Sequence, residues 1–230
     1  MVKEIFLTFD IDWVADWILE ETISILKAHQ VKATFFATHE SKLLNSLDPK
    51  QFEIGLHPNF EKLDGQIDFN TIRELKKLYP NAVGMRSHTL FFSSRLIPIL
   101  TELDIKYESN IFLFQHEGLH TVTRAEELKS IPFNWSDDKH IELGYRFTTD
   151  NMPSFDNDGL NIFNFHPIHV FLNTKNQIQY NKSRSDFNSS ELFKHKNGDD
   201  DGTKNMLISL CKSVEELGLE SKILKSLIIS

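Results

Sequence analysis

The chain is short of cysteine, of basic clusters and of long apolar runs, and each shortage removes a class of protein. One cysteine, Cys211, stands among 230 residues, so no internal disulfide forms and a reducing compartment is permitted. It falls in MLISLCKSVEEL, a helical pattern in which a buried thiol serves packing. No run of Lys or Arg builds a basic patch, and the net charge is −8. Both facts argue against nucleic acid or an anionic membrane as partner. No window reaches the roughly 18 consecutive apolar residues of a membrane span. The opening MVKEIFLTFDID has an apolar run too short for a signal-peptide core, and acids interrupt it. The expectation is a cytoplasmic protein. Tyrosine is also scarce, four against nineteen Phe, which points to an aromatic core.

What is present is ordinary for a soluble globular chain: 40% hydrophobic and 25% charged residues. The length suits one α/β domain over 1–230, and no linker or internal repeat divides it. Strand-like and helix-like patterns alternate. EIFLTF, KATFFAT, FEIGL, AVGM, IKYES and LNIFNFHP read as strands. ADWILEETISILKAH, FNTIRELKKLY, SSRLIPILTEL and NMLISLCKSVEELG read as helices. Asn70 or Thr71 is positioned to cap the second helix, and Asp16 the first. Pro98 leaves the start of the third open. SKILKSLIIS reads as a last apolar helix. Residues 173–204 read as a long polar loop, with the acidic NGDDDGTK as a solvated tip rather than a cation site. This alternation predicts a parallel sheet with crossover helices, open or closed into a barrel.

In such sheets ligands bind at the carboxyl ends of the strands, and there the polar residues gather. LTFDIDW puts Asp10, Asp12 and Trp13 after the first strand. His39 follows the second, His57 and Asn59 the third, and Arg86 and His88 the fourth. Asp137 and Asp138 follow IPFNW, and His166 and His169 follow NIFNF. Of ten His, four directly follow apolar strands, and His39 makes a fifth. Taken singly, each is most often a capping or surface residue. Sorted together at one mouth, imidazoles and carboxylates are the parts of a metal site or an acid–base pair.

At these residues the chain resembles the polysaccharide deacetylases of the NodB-homology group, carbohydrate esterase family 4, in order from Phe6 to about Asn173. TFDID resembles that family's first motif, VKATFF its second strand, GLHPNF its second motif, GMRSHTLFFSS its third, NWSDD its fourth and NFHPIHVFLNT its last. The set is most similar to the divergent WbmS-like branch of bacterial surface-polysaccharide gene clusters. The resemblance implies a distorted (β/α) barrel with about seven parallel strands. It also implies that Asp10 is the catalytic base and Asp12 a metal ligand. Two departures stand out. Ile11 separates the two acids, and the second motif lacks its second histidine.

Asp12, His57 and His88 supply the three protein ligands of a catalytic zinc, with His88 replacing the missing histidine. His169 and Glu61 are the alternatives for the third ligand. In this reading Arg86 orients Asp10 and keeps it ionised. His166 donates a proton to the leaving amine, and Asp137 or Asp138 holds its tautomer. Trp13, Trp135 and Phe92 offer stacking surfaces for a sugar ring, and His39, Asn59 and His169 complete the sugar-facing set. The implied substrate is a carbohydrate, an N-acetyl sugar that is nucleotide- or lipid-linked in the cytoplasm. Two rivals remain at this level. One is another barrel metal hydrolase, against which the absence of a His-x-His pair after the first strand counts. The other is a degenerate sugar-binding protein, against which the retained base–acid pair counts.

Overall fold

The computed structural model describes residues 3–62, 64–151, 155 and 158–228. Its strands are β1 (Glu4–Asp10), β2 (Ala33–Ala37), β3 (Phe52–Leu56), β4 (Gly84–Met85), β5 (Tyr107–Glu108), β6 (Val122–Thr123), β7 (Lys129–Ser130), β8 (Trp135–Ser136), β9 (Ile162–Phe165) and β10 (Glu220–Lys222). Its helices are α1 (Asp16–Ala28), α2 (Lys42–Asn45), α3 (Asn70–Leu78), α4 (Ile97–Glu102), α5 (Asp137–Glu142), α6 (Pro167–Leu172), α7 (Gln177–Ser183) and α8 (Thr203–Glu216). The sheet runs β6-β7-β5-β4-β3-β2-β1-β9-β8. Every pairing is parallel except β6 with β7. The curled sheet with its helices outside is the distorted (β/α) barrel the sequence implies.

Both faces of the sheet are covered, so its strands are nearly continuous apolar runs, and residue alternation decides which face each side chain serves. Along β1, Ile5, Leu7 and Phe9 join the outer core under the helices, while Phe6 joins the smaller interior cluster with Phe36, Tyr107 and Phe133. Thr8 and Asp10 share the inward side with Phe6. The same period brings Glu53, Gly55 and His57 inward along β3, and Ile162, Asn164 and His166 along β9. Gly84 is required by this packing: a Cβ there would lie 1.9 Å from the Tyr107 ring.

The helices follow apolar periodicity, with local differences from expectation. In α1 Ile18, Leu19, Thr22, Ile23 and Leu26 are buried. Asp16 does not cap its own helix. It is already in the first turn, and its carboxylate reaches α2, accepting from Ser41 Oγ at 2.5 Å and the Leu43 N–H at 3.1 Å. Neither Asn70 nor Thr71 caps α3: Asp68 Oδ1 accepts the Asn70 N–H at 3.0 Å. Pro98 sits in the first turn of α4, where a missing N–H costs nothing.

Two tail expectations are corrected. Residues 173–204 are not one structureless loop. They contain α7 and two 3-10 segments (Arg184–Asp186 and Ser190–His195), and Asn173 pins them by accepting from the N–H groups of Lys204 and Asn205 while donating to the Asn197 and Asp199 carbonyls. The acidic tip there is paired: Asp201 with Arg146 at 3.1 Å, Asp199 with Lys175 at 2.5 Å. SKILKSLIIS is likewise not an α-helix, and its last two residues lie outside the described ones. Its start is β10 beside the first half of β1. Leu224 then plugs the base of the barrel, and the Leu224 and Lys225 N–H groups bind Thr34 and the buried Glu53. A strand's backbone can be completed only by a neighbour distant in sequence, which local pattern does not reveal.

Candidate metal and acid–base site

β1 ends at Asp10, and the chain then turns with positive φ at Asp12 (40°) and Trp13 (58°), the Trp13 N–H resting on Thr38 Oγ1 at 3.0 Å. The turn, rather than strand alternation, brings Asp12 back to the barrel mouth beside Asp10. Past β3, the His57 N–H bonds to the Ala37 carbonyl at 2.8 Å, which places its ring at the same mouth. Past β4, the His88 N–H bonds to the Pro58 carbonyl at 3.0 Å, and Thr89 and Leu90 follow with φ of 58° and 56°. Non-glycine residues held in that region concentrate at functional sites.

Asp12 Oδ1 lies 3.3 Å from His57 Nε2 and 3.4 Å from His88 Nδ1. The three ligand atoms are within 4.8 Å of one another. Asp12 Oδ1 is buried yet accepts no well-formed hydrogen bond, as fits an oxygen aimed at a cation. Burial by itself raises a carboxyl. Here the imidazoles of His57 and His88 and the charge of His166 outweigh it and hold Asp12 well below the usual carboxylate range. Asp12 in turn raises His88. One carboxylate and two imidazoles are a donor set suited to zinc.

Asp10 sits against Arg86. The guanidinium is fully buried and clamped between the rings of Phe36 and Phe133, at 4.6 and 4.2 Å from their centroids. Its Nε donates to the Ser109 carbonyl and Nη2 to Ser109 Oγ, both at 3.0 Å. Nη1 points to Asp10 Oδ1 at 3.1 Å, Thr8 Oγ1 at 3.0 Å and Asn164 Oδ1 at 2.5 Å. On the other side of the mouth, His166 Nδ1 is 2.6 Å from Asp137 Oδ1, and its backbone N–H donates to Asp137 Oδ2 at 2.8 Å. That bond orients Nε2 toward Asp12 Oδ2, 3.7 Å away. Burial opposes protonation of His166, but the Asp137 charge and hydrogen bond, aided by Asp12 and Asp138, raise it well above the ordinary histidine value. Asp137, not Asp138, is therefore the partner. Asp138 instead accepts from Ser136 Oγ and the Lys139 N–H and faces the cavity. A cavity of about 320 Å³ opens over this cluster, with Leu90, Phe112 and Phe133 as its apolar wall.

The remaining candidates are spread around this centre. Trp13 is half-exposed and meets the His88 ring edge-on at 5.0 Å. Trp135 is fully buried between Phe165 and His140 and presents no face to a ligand. Phe92 lies under Arg124. His39 bonds Thr38 Oγ1 at 2.9 Å, and Asn59 accepts the Glu61 N–H at 3.1 Å; neither lines the cavity. Glu61 is exposed and bonds Thr89 Oγ1, apart from the Asp12 group. His169 is buried behind His166 under the Tyr180 ring, with Nδ1 3.1 Å from Thr174 Oγ1, and burial lowers its pKa. Asp137, His166 and His169 also converge, but both Asp137 oxygens are taken by His166, so the trio is an ion pair with a neutral neighbour. Sequence reasoning missed Asn164. The signal was present: a lone amide in IFNF, two residues before His166 and so on the same face.

These features define a (β/α) barrel with carboxylates and imidazoles gathered at one mouth, and the comparisons give its family. The sequence profile of the WbmS-like polysaccharide deacetylases matches residues 7–184. A structure from Bordetella bronchiseptica, assigned as a polysaccharide deacetylase involved in O-antigen biosynthesis, is 32% identical over 90% of this chain and 89% of its own, with a TM-score of 0.82. A protein from Mycobacterium smegmatis assigned as a polysaccharide deacetylase is 15% identical, covers 97% of this chain and 87% of its own, and has a TM-score of 0.54; that likeness is one of fold. No curated protein matches. The chain belongs to the WbmS-like polysaccharide deacetylase family.

Proposed function

We propose that the chain is a zinc-dependent deacetylase that hydrolyses the N-acetyl, or a related N-acyl, group of a sugar. The observation that carries this is the buried, unbonded Asp12 Oδ1 set between His57 and His88 and flanked by Asp10 on one side and the Asp137-paired His166 on the other. A divalent ion held by Asp12, His57 and His88 would supply Lewis acidity toward the acyl carbonyl and the attacking water. Asp10 takes a proton from that water, its carboxylate held in place by Arg86. A C–O bond forms, the amide C–N bond breaks, and His166 gives its proton to the departing amine. Asp137 keeps His166 charged and aimed at the mouth. Trp13, at the rim, offers the sugar an apolar face.

The relative involved in O-antigen biosynthesis supports a substrate among surface-polysaccharide precursors, a nucleotide- or lipid-linked N-acetyl sugar handled in the cytoplasm. Among the described residues no helix is long and apolar enough to cross a membrane. The test is metal content of the purified, zinc-supplemented protein, together with acetate release from UDP-N-acetylglucosamine and chitooligosaccharides. One bound ion, lost in Asp12→Ala, His57→Ala and His88→Ala along with acetate release, is the expected result. A wild type that retains no ion and releases no acetate overturns the proposal in favour of sugar binding.

A further inference from the structure

The base Asp10 is held from two sides, and one of the holders is Asn164. We propose that Asn164 is a positioning residue that sets the plane of the Asp10 carboxylate. This inference rests on Asp10 acting as the base. The Asn164 side chain is almost fully buried on the inward face of β9. Its Oδ1 meets Arg86 Nη1 at 2.5 Å and Thr8 Oγ1 at 3.0 Å, and its Nδ2 donates to Asp10 Oδ2 at 2.9 Å. The amide has one possible orientation here. Turned over, its NH2 would face the guanidinium and its oxygen the carboxylate, placing donor on donor and acceptor on acceptor.

The terminal torsion of an aspartate is broad and two-fold. A single bond from Arg86 to Oδ1 leaves the carboxylate free to rotate about that contact. The second bond, from Asn164 to Oδ2, removes the freedom. Asn164 also binds Arg86 itself, so the three side chains form a closed ring of contacts in which neither holder of Asp10 shifts alone. General-base catalysis depends on geometry first, and a misplacement of about 1 Å costs about 10²-fold in rate.

Two substitutions test this. Asn164→Leu keeps the branched shape and the number of heavy atoms and has no polar atoms. Asn164→Asp keeps an acceptor for Arg86 and Thr8 but replaces the NH2 that binds Asp10 Oδ2 with an oxygen, so the second bond to Asp10 is exchanged for a repulsive contact. In zinc-loaded protein that is folded by circular dichroism, each is expected to lower kcat about 10²-fold and leave KM and zinc stoichiometry unchanged. A merely structural role predicts wild-type kcat per folded, zinc-loaded molecule, and that result overturns the proposal. If Asn164→Leu does not fold, the near-isosteric Asn164→Asp carries the test. A crystal structure of the zinc-loaded variants reads the same point without turnover: Asp10 is expected to leave its wild-type rotamer, and an unmoved Asp10 carboxylate refutes the role of Asn164. A wild type that binds zinc but deacetylates neither UDP-N-acetylglucosamine nor chitooligosaccharides counts against the proposed function and leaves this structural comparison standing.

Discussion

Asp137→Asn is the substitution that bears most directly on the acid side of the site. Asp137 accepts two bonds from one residue, the His166 ring at 2.6 Å and the His166 backbone at 2.8 Å. Asn keeps an acceptor for one of them and sets an NH2 group against the other. The loss is thus about one hydrogen bond to a charged group, roughly 1.5–3 kcal/mol. At 1.36 kcal/mol per unit this lowers the His166 pKa by about one to two units, and burial, which opposes the charge, is then less resisted. A reaction that needs protonated His166 loses rate as pH rises through that pKa. The alkaline limb of kcat/KM is therefore expected to move to lower pH by about one to two units, so that the ratio of wild-type to variant rate grows with pH. Stability should run the other way. A histidine whose folded pKa is raised contributes stability that is fully present below the unfolded value of about 6.5 and is lost as pH rises through the folded one. The difference in melting temperature should be largest below pH 6.5 and shrink above it. The assays are a pH series of initial rates and of thermal melts on zinc-loaded protein. An unmoved alkaline limb, or a melting difference that widens with pH, refutes the reasoning.

Other consequences are checked more simply. Glu53, at the base of the barrel, has its pKa raised by burial although Lys225, Thr34 and Tyr107 bond it. The native state then holds the proton more tightly than the unfolded chain, and stability falls as pH rises from 4.5 through the folded value. Glu53→Gln should remove that slope, so its melting temperature gains on wild type as pH rises above 4.5; parallel curves would count against the assignment. The two tryptophans should separate: Trp13→Ala is expected to raise KM about tenfold, equivalent to about 1.4 kcal/mol of stacking, with no change in melting temperature. Trp135→Ala should instead cost about 3–5 kcal/mol of stability, seen in a chemical denaturation curve.

Much of this protein was legible in its sequence because two periodicities are local. Alternation of strand and helix patterns gave the parallel sheet and the family resemblance its barrel, and the placement of Asp10, Asp12, His57, Arg86, His88, Asp137 and His166 after apolar strands put them at one mouth, since all parallel strands end on the same side. Tertiary structure decided what depends on neighbours far away in the chain. Trp135 and Trp13 look alike in sequence, yet one is walled in by β9 and α5 and the other stands at the rim. Asp137 and Asp138 are adjacent, and only the approach of β9 gives His166 to the first. Asn164 is a single amide in a strand until Arg86, 78 positions away, and Asp10, 154 positions away, close around it. The C-terminal segment has the composition of a helix, and the unpaired edge of β1 makes its first residues a strand. Composition and period act over a few residues; which acid is buried, which is charged and which is held are set by contacts that form only when the barrel curls.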